Sequence, residues 1–209
     1  FSDVTSDDPA VVASGPLSPN PTTAADALDV LGDYDVDAPS AVVEYLESKT
    51  GATEDSGPGN AASAAFDRVS VHILADGFTA LSAAAAACND AGYESLILSR
   101  SVRGEAREAA KTHVALAEEA QITGNPVDPP AVVLSGGETT VTVRGDGTGG
   151  PNQEFAVSAA LDLPDGVVLG AIDTDGIDGA TDAAGALVTG ETVASSEDAR
   201  EATAALADN

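Results

Sequence analysis

Asp173, Asp175, Asp178 and Asp182 place four carboxylates within ten residues, interleaved with Gly176 and Gly179. Carboxylates packed so closely repel unless a cation sits among them. Mg²⁺ is the economical one, because it keeps several waters and takes one or two carboxylates together with phosphate oxygens. The spacing approaches the start of a calcium-binding EF-hand loop, but the twelfth position from Asp173 is Ala184, where that loop needs Glu. Upstream, Gly145-Asp146-Gly147-Thr148-Gly149-Gly150 satisfies a literal G-x-G-x-x-G between an expected strand and an expected helix. Glycines there let backbone N–H groups approach a phosphate, and the helix adds its positive end. Asp173, about 20 residues beyond the last glycine, also stands where a dinucleotide fold holds ribose. An NAD(P)-linked enzyme is therefore the competing reading. It leaves Asp175, Asp178 and Asp182 without a task, which favours metal and phosphate chemistry. The plain alternatives are a glycine-rich turn and a solvated acidic turn.

Ser135-Gly136-Gly137-Glu138-Thr139-Thr140 reads as a strand end, a tight turn and a new strand, with Glu138 at the lip. In a phosphoryl-transfer enzyme such a carboxylate holds metal or accepts the substrate hydroxyl proton; otherwise it is an edge charge. Asn152-Gln153-Glu154 opens a helix, Asn152 as cap and Glu154 on the positive end of the dipole. His72 falls in an apolar run and His113 in a helix, and both read as structural, as does Cys88 on an Ala-rich helix. With no HxxxH, CxxC or Ser–His–Asp set, zinc hydrolysis and thiol redox chemistry are set aside.

The elements that must position these residues alternate. Residues 1–25 hold four prolines and Gly15 and read as an irregular segment ending in a helix capped by Thr22 or Thr23. A second helix is expected from about Pro39 to Lys49, then a Gly/Pro/Ser-rich loop over Thr50–Ser63. Beyond it come a strand at Val69–Ala75, a helix at Thr79–Ala91, a strand at Glu94–Leu98 and a helix at Glu105–Gln121. Val132–Leu134 and Thr139–Val143 read as arms of a hairpin about Gly136-Gly137. A helix around Gln153–Leu161, a strand at Val167–Ile172, a strand near Ala186–Val188 and a helix from about Ser196 complete an α/β chain with a mixed sheet and no internal repeat.

The chain's 35 acidic and 8 basic residues give a net charge of −27, while 43% of its residues are hydrophobic. High apolar content excludes a disordered acidic tail, so the acid coats a folded domain. Nucleic acid and anionic membranes are poor partners for so few Lys and Arg, and no apolar run reaches the ~18 residues of a membrane span. The single cysteine suits a reducing cytoplasm. Such acidity, with two lysines, resembles proteins of organisms that keep molar salt in the cytoplasm, where the Debye length falls to about 3 Å and repulsion is screened. Salt-dependent folding is the expectation.

Several segments together carry a family resemblance. They are Ser2-Asp3-Val4, Asp7-Asp8, Ala13-Ser14-Gly15-Pro16, Gly104-Glu105-Ala106-Arg107-Glu108, the run Leu134–Val143, Gly149-Gly150-Pro151-Asn152-Gln153-Glu154-Phe155 and Asp173–Gly179. This combination resembles the MOFRL-type glycerate 2-kinases, often named hydroxypyruvate reductases. The resemblance implies transfer of the ATP γ-phosphoryl to the 2-hydroxyl of D-glycerate with Mg²⁺. It also implies a Rossmann-like N-terminal domain, a smaller C-terminal α/β domain and a site in the cleft between. Residues 1–125 are then the end of the first domain and residues 126–209 an incomplete second one, in a partial chain. The implied roles are Gly136, Gly137, Gly145, Gly147, Gly149, Gly150 and Asn152 for the nucleotide, Asp173, Asp175 and Asp178 for Mg²⁺, and Glu138, Asp175 and Arg144 for catalysis. Arg144 enters because Pro151 stands where relatives commonly have Arg. The implied partner is a small-molecule substrate, with no nucleic acid and no membrane, and a homodimer is one option. The alternatives kept are an NAD(P)-dependent hydroxypyruvate reductase and an inactive Mg²⁺/nucleotide-binding domain.

Overall fold

A computed structural model describes residues 2, 4–6, 8–19, 22–50 and 66–208. The chain divides into two compact units, Phe1–Asp76 and Gly77–Asn209. Most of the expected loop Thr50–Ser63 lies outside the described residues, as do Asp3 and Asp7. Among the described residues no helix is long and apolar enough to cross a membrane.

The first unit opens with turns, as its prolines dictate. Ala13, Ser14 and Gly15 take left-handed φ values of 51°, 64° and 59°. A Cβ on Gly15 would collide with the Ala10 carbonyl, so only glycine closes this turn. Helix α1 (Ala24–Asp33) starts with a full capping box. Asp26 N–H donates to Thr23 Oγ1 at 3.2 Å, and Thr23 N–H donates to Asp26 Oδ2 at 2.7 Å. The Thr23 hydrogen bonds hold the Asp26 carboxyl below its ordinary value. Helix α2 (Ser40–Thr50) packs on α1, and the Pro39 carbonyl accepts the Val42 N–H, placing Pro39 just before the first turn. The expected strand Val69–Ala75 does not form. No described strand pairs with the segment, and a ladder needs a partner; Val71 and Leu74 stay exposed.

The second unit begins with α3 (Gly77–Asp90), followed by a βαβ crossover of β1 (Glu94–Val102), α4 (Ala106–Thr123) and β2 (Ala131–Gly137). The strands pair in parallel, from Glu94 opposite Ala131 to Val102 opposite Gly137. α3 packs on both, and its Leu81 side chain lies against Gly136. The hairpin expected about Gly136-Gly137 is corrected here: both glycines belong to β2. Gly137 crowds the Val102 carbonyl so closely that any Cβ would collide with it. The chain runs on instead of turning back, and Thr139–Val143 contributes one isolated parallel bridge, Thr140 to Glu105.

After α5 (Pro151–Ala160), strands β3 (Val168–Ile172) and β4 (Gly185–Thr189) pair antiparallel, and α6 (Ser196–Ala207) closes the unit behind a Ser195–Asp198 capping box. The α/β class holds, with the parallel and antiparallel pairings of the described residues in two separate two-stranded sheets. The core is small-residue packing. Ala110 and Val114 of α4 meet Ala156, Ala159 and Ala160 of α5, with Leu163 and Val188. Alanines let the two helices approach closely, and α5 also covers β3 and β4. The helix whose first turn follows the glycine loop thus packs against α4, β3, β4 and α6.

Candidate functional site

In open α/β sheets ligands approach the carboxyl ends of the strands. Here those ends bring Gly104, Gly136, Gly137 and Glu138 together beside the start of α4. The Glu138 side chain is exposed, and its N–H donates to the Val102 carbonyl at 3.0 Å. Glu105, the residue before α4, accepts from the Thr142 hydroxyl at 2.9 Å and from the Thr142 N–H at 3.2 Å. The Thr142 hydroxyl bond is the largest influence holding the Glu105 carboxyl below its ordinary value. These contacts pin the segment leading to exposed Arg144 and the glycine loop.

The loop is partly committed to the fold. Gly145 stands against the Asp208 backbone, and Gly147 N–H donates to the Asp208 carbonyl at 2.7 Å. A Cβ on Gly149 would meet only open space. Gly147, Thr148, Gly149 and Gly150 share the wall of a cavity of about 480 Å³ with Val141, Val143, Gln153 and Glu154. A mostly apolar cavity with a few polar groups of this size is the common form of a small-molecule site.

The first turn of α5 holds a group that sequence spacing assigned elsewhere. Asp178 is fully buried. Its Oδ1 accepts from Asn152 N–H at 3.0 Å and Asn152 Nδ2 at 3.1 Å, and its Oδ2 from Gln153 N–H at 2.8 Å. Gln153 Nε2 donates to Thr181 Oγ1 at 2.8 Å, which closes the network onto the same loop. A helix N-terminus attracts an anion, and the anion seated on α5 is the chain's own carboxylate. Gly150 makes the approach possible, because a Cβ there would overlap the Asp178 side chain.

Asp173 and Asp175 bond within their own loop. Asp173 is half-buried at the end of β3 and accepts the Asp175 N–H at 3.4 Å; Asp175 is exposed and accepts the Ile177 N–H at 2.8 Å. These are two successive Asx turns. Among the described residues no three His, Cys, Asp or Glu side chains stand close enough to hold a metal, so Asp173, Asp175 and Asp178 are not assembled as one set.

Two contacts escape sequence reasoning because their partners lie far apart in the chain. Arg107 Nε bonds Glu154 Oε1 at 2.6 Å, tying α4 to the first turn of α5, with the Glu154 side chain only 5% exposed. This hydrogen bond raises the Arg107 value further. His113 bridges the Ala109 carbonyl and the Ser135 hydroxyl, each at 2.8 Å. Only its helical placement was legible.

Residues 131–209 match the model of the MOFRL family, and residues 1–47 match a domain of unknown function, DUF4147. A protein of Agrobacterium vitis provisionally named a hydroxypyruvate reductase is 42% identical over 203 residues, covering 95% of this chain and 44% of its own length. A D-glycerate 2-kinase of Thermotoga maritima is 36% identical over 194 residues, covering 92% of this chain and 44% of the relative. The chain thus spans less than half the length of these curated relatives. Among solved structures, a glycerate kinase of Thermotoga maritima superimposes with a TM-score of 0.77 at 33% identity, covering all of this chain and 48% of that one.

Proposed function

We propose that this chain, with a MOFRL match over residues 131–209, is part of an ATP-dependent glycerate 2-kinase that phosphorylates the 2-hydroxyl of D-glycerate. The observation that carries the reading is the superposition of this whole chain on 48% of a glycerate kinase, with the glycine loop and Glu138 in one compact unit. The division near residue 125 stays our proposal, supported by the start of the MOFRL match at 131.

In this reading the cavity beside Gly147, Gly149 and Gly150 takes part of the nucleotide, and Gly145 and Asn152 hold the loop and helix that form it. Gly136 and Gly137, packed against Leu81 and Val102, set the carboxyl end of β2 beside the nucleotide. Glu138 accepts the proton of the 2-hydroxyl as its oxygen forms the new bond to γ-phosphorus and ADP leaves. Arg144 neutralises charge on the transferring group, as an arginine at the Pro151 position would. Two carboxylates fit Mg²⁺, which needs only one or two besides water and phosphate. Asp173 and Asp175 would hold it, and Asp178, with both oxygens engaged on α5, holds the loop. When bound, Mg²⁺ supplies charge neutralisation to the phosphates.

The reductase alternative is weaker for a specific reason. No strand leads into the glycine loop, and β3, which ends just before Asp173, pairs antiparallel, so the strand–turn–helix setting of a dinucleotide fingerprint is missing from the described residues. We also read the acid coat as adaptation to molar salt in a cytoplasmic enzyme. An unchanged circular-dichroism melt between 0.1 M and 3 M KCl contradicts that. The test of function supplies the protein in about 3 M KCl, the near-complete screening regime, with D-glycerate, ATP and Mg²⁺, and separately with hydroxypyruvate and NADH. Formation of 2-phosphoglycerate, lost in Asp175→Asn, supports the kinase. Nicotinamide oxidation without ADP release overturns it.

A further inference from the structure

The tie between His113 on α4 and Ser135 on β2 has a defined polarity. His113 Nδ1 lies 2.8 Å from the Ala109 carbonyl oxygen, one helical turn back, and Nε2 lies 2.8 Å from Ser135 Oγ. A carbonyl only accepts, so Nδ1 carries a proton. In the neutral ring Nε2 is then bare and takes the Ser135 O–H. The Phe155 ring, edge-on with centroids 5.1 Å apart, supports the imidazole. The one proton of Ser135 is thus spent inside the fold, and Oγ has only lone pairs left to offer.

Ser135 is half-buried and immediately precedes Gly136 at the carboxyl end of β2, where ligands approach such sheets. We propose that Ser135 accepts a hydrogen bond from a hydroxyl group of the substrate, and that His113 is the positioning residue that fixes this polarity. The identity of the substrate as a hydroxy acid rests on the kinase reading. An acceptor at this point welcomes a hydroxyl and turns away a carboxylate or phosphate oxygen, which also brings only lone pairs. The pair therefore selects which end of a hydroxy acid lies over β2. A site built to hydrogen-bond a hydroxyl discriminates against analogues lacking it.

The experiment has two arms. Nitrogen-15 spectra of the histidine-labelled protein should show neutral His113 in the Nδ1–H form. Calorimetric titrations of wild type, Ser135→Ala, Ser135→Thr and His113→Gln should use D-glycerate, lactate and 3-hydroxypropionate, the last two each lacking one hydroxyl. Ser135→Ala should weaken D-glycerate about tenfold, the size of one hydrogen bond, and leave the analogue without the contacted hydroxyl unchanged. Ser135→Thr should restore binding, and His113→Gln should narrow the preference for D-glycerate. An Nε2–H spectrum, or an equal loss for all three ligands in Ser135→Ala, overturns the inference and leaves the kinase reading standing. A wild-type protein that binds none of the three ligands overturns both.

Discussion

The loop between β3 and β4 carries two aspartates three residues apart whose surroundings differ completely. Asp178 is fully buried with three donors on its two oxygens, while Asp175 is exposed and accepts the Ile177 N–H of its own turn. The residue type is the same, and so is the glycine-rich context. What differs is the position of a helix N-terminus: the first turn of α5 lies against one carboxylate and not the other. Burial of a charge is tolerated where donors surround it, and the same donors leave it little capacity for anything else. The loop is thereby fixed at one end and open at the other, an arrangement suited to holding a cation with few protein ligands.

The largest expected effect comes from breaking the closed end. Asp178→Ala leaves the Asn152 and Gln153 N–H groups without their acceptor and should cost about 3 kcal/mol, from the loss of a cap and of buried hydrogen bonds to a charged group. Urea unfolding at constant KCl measures it, and a loss near zero would erase the contrast with Asp175. Gly150→Ala attacks the same contact from the helix side, since its Cβ overlaps the Asp178 carboxylate. A loss of about 2 kcal/mol is expected in the same assay. Glu105→Gln should have a smaller, pH-dependent effect. The folded value of Glu105 lies below its ordinary 4.5. Its bonds to Thr142 therefore stabilise the fold above that pH, and the stabilisation disappears as pH falls through the depressed value. Acid unfolding curves should be shallower in the variant, and identical curves would show that the contact does not anchor the segment leading to the glycine loop. The smallest change is expected at the open end, where Asp175→Asn should move stability by no more than about 0.5 kcal/mol.

This contrast also explains what the sequence could and could not reveal. Elements with local signals were legible. The Thr23 cap, the Ala-rich helix α3, the strand ending just before Asp173 and the helix from Ser196 all fall within a few residues of their expected places, because caps and periodicity act over short separations. The hairpin reading failed because Gly-Gly permits a turn without requiring one, and the close approach of Val102, thirty-five residues earlier, decided the outcome. The strand at 69–75 failed because pairing, not pattern, makes a strand. At the candidate site, residue types were readable and their allegiances were not. Nothing local distinguishes Asp178 from Asp175. Its bonds to Asn152 and Gln153 cross twenty-six and twenty-five residues, and Arg107 reaches Glu154 across forty-seven.

The division of labour within the loop is tested most directly by titrating Mg²⁺ with a non-hydrolysable ATP analogue into wild type and the Asp173→Asn/Asp175→Asn double variant, with the urea midpoint of each recorded in parallel. The account predicts binding at least about tenfold weaker in the double variant, the equivalent of 1.4 kcal/mol, at an unchanged midpoint. Unchanged Mg²⁺-dependent affinity in the double variant would contradict it.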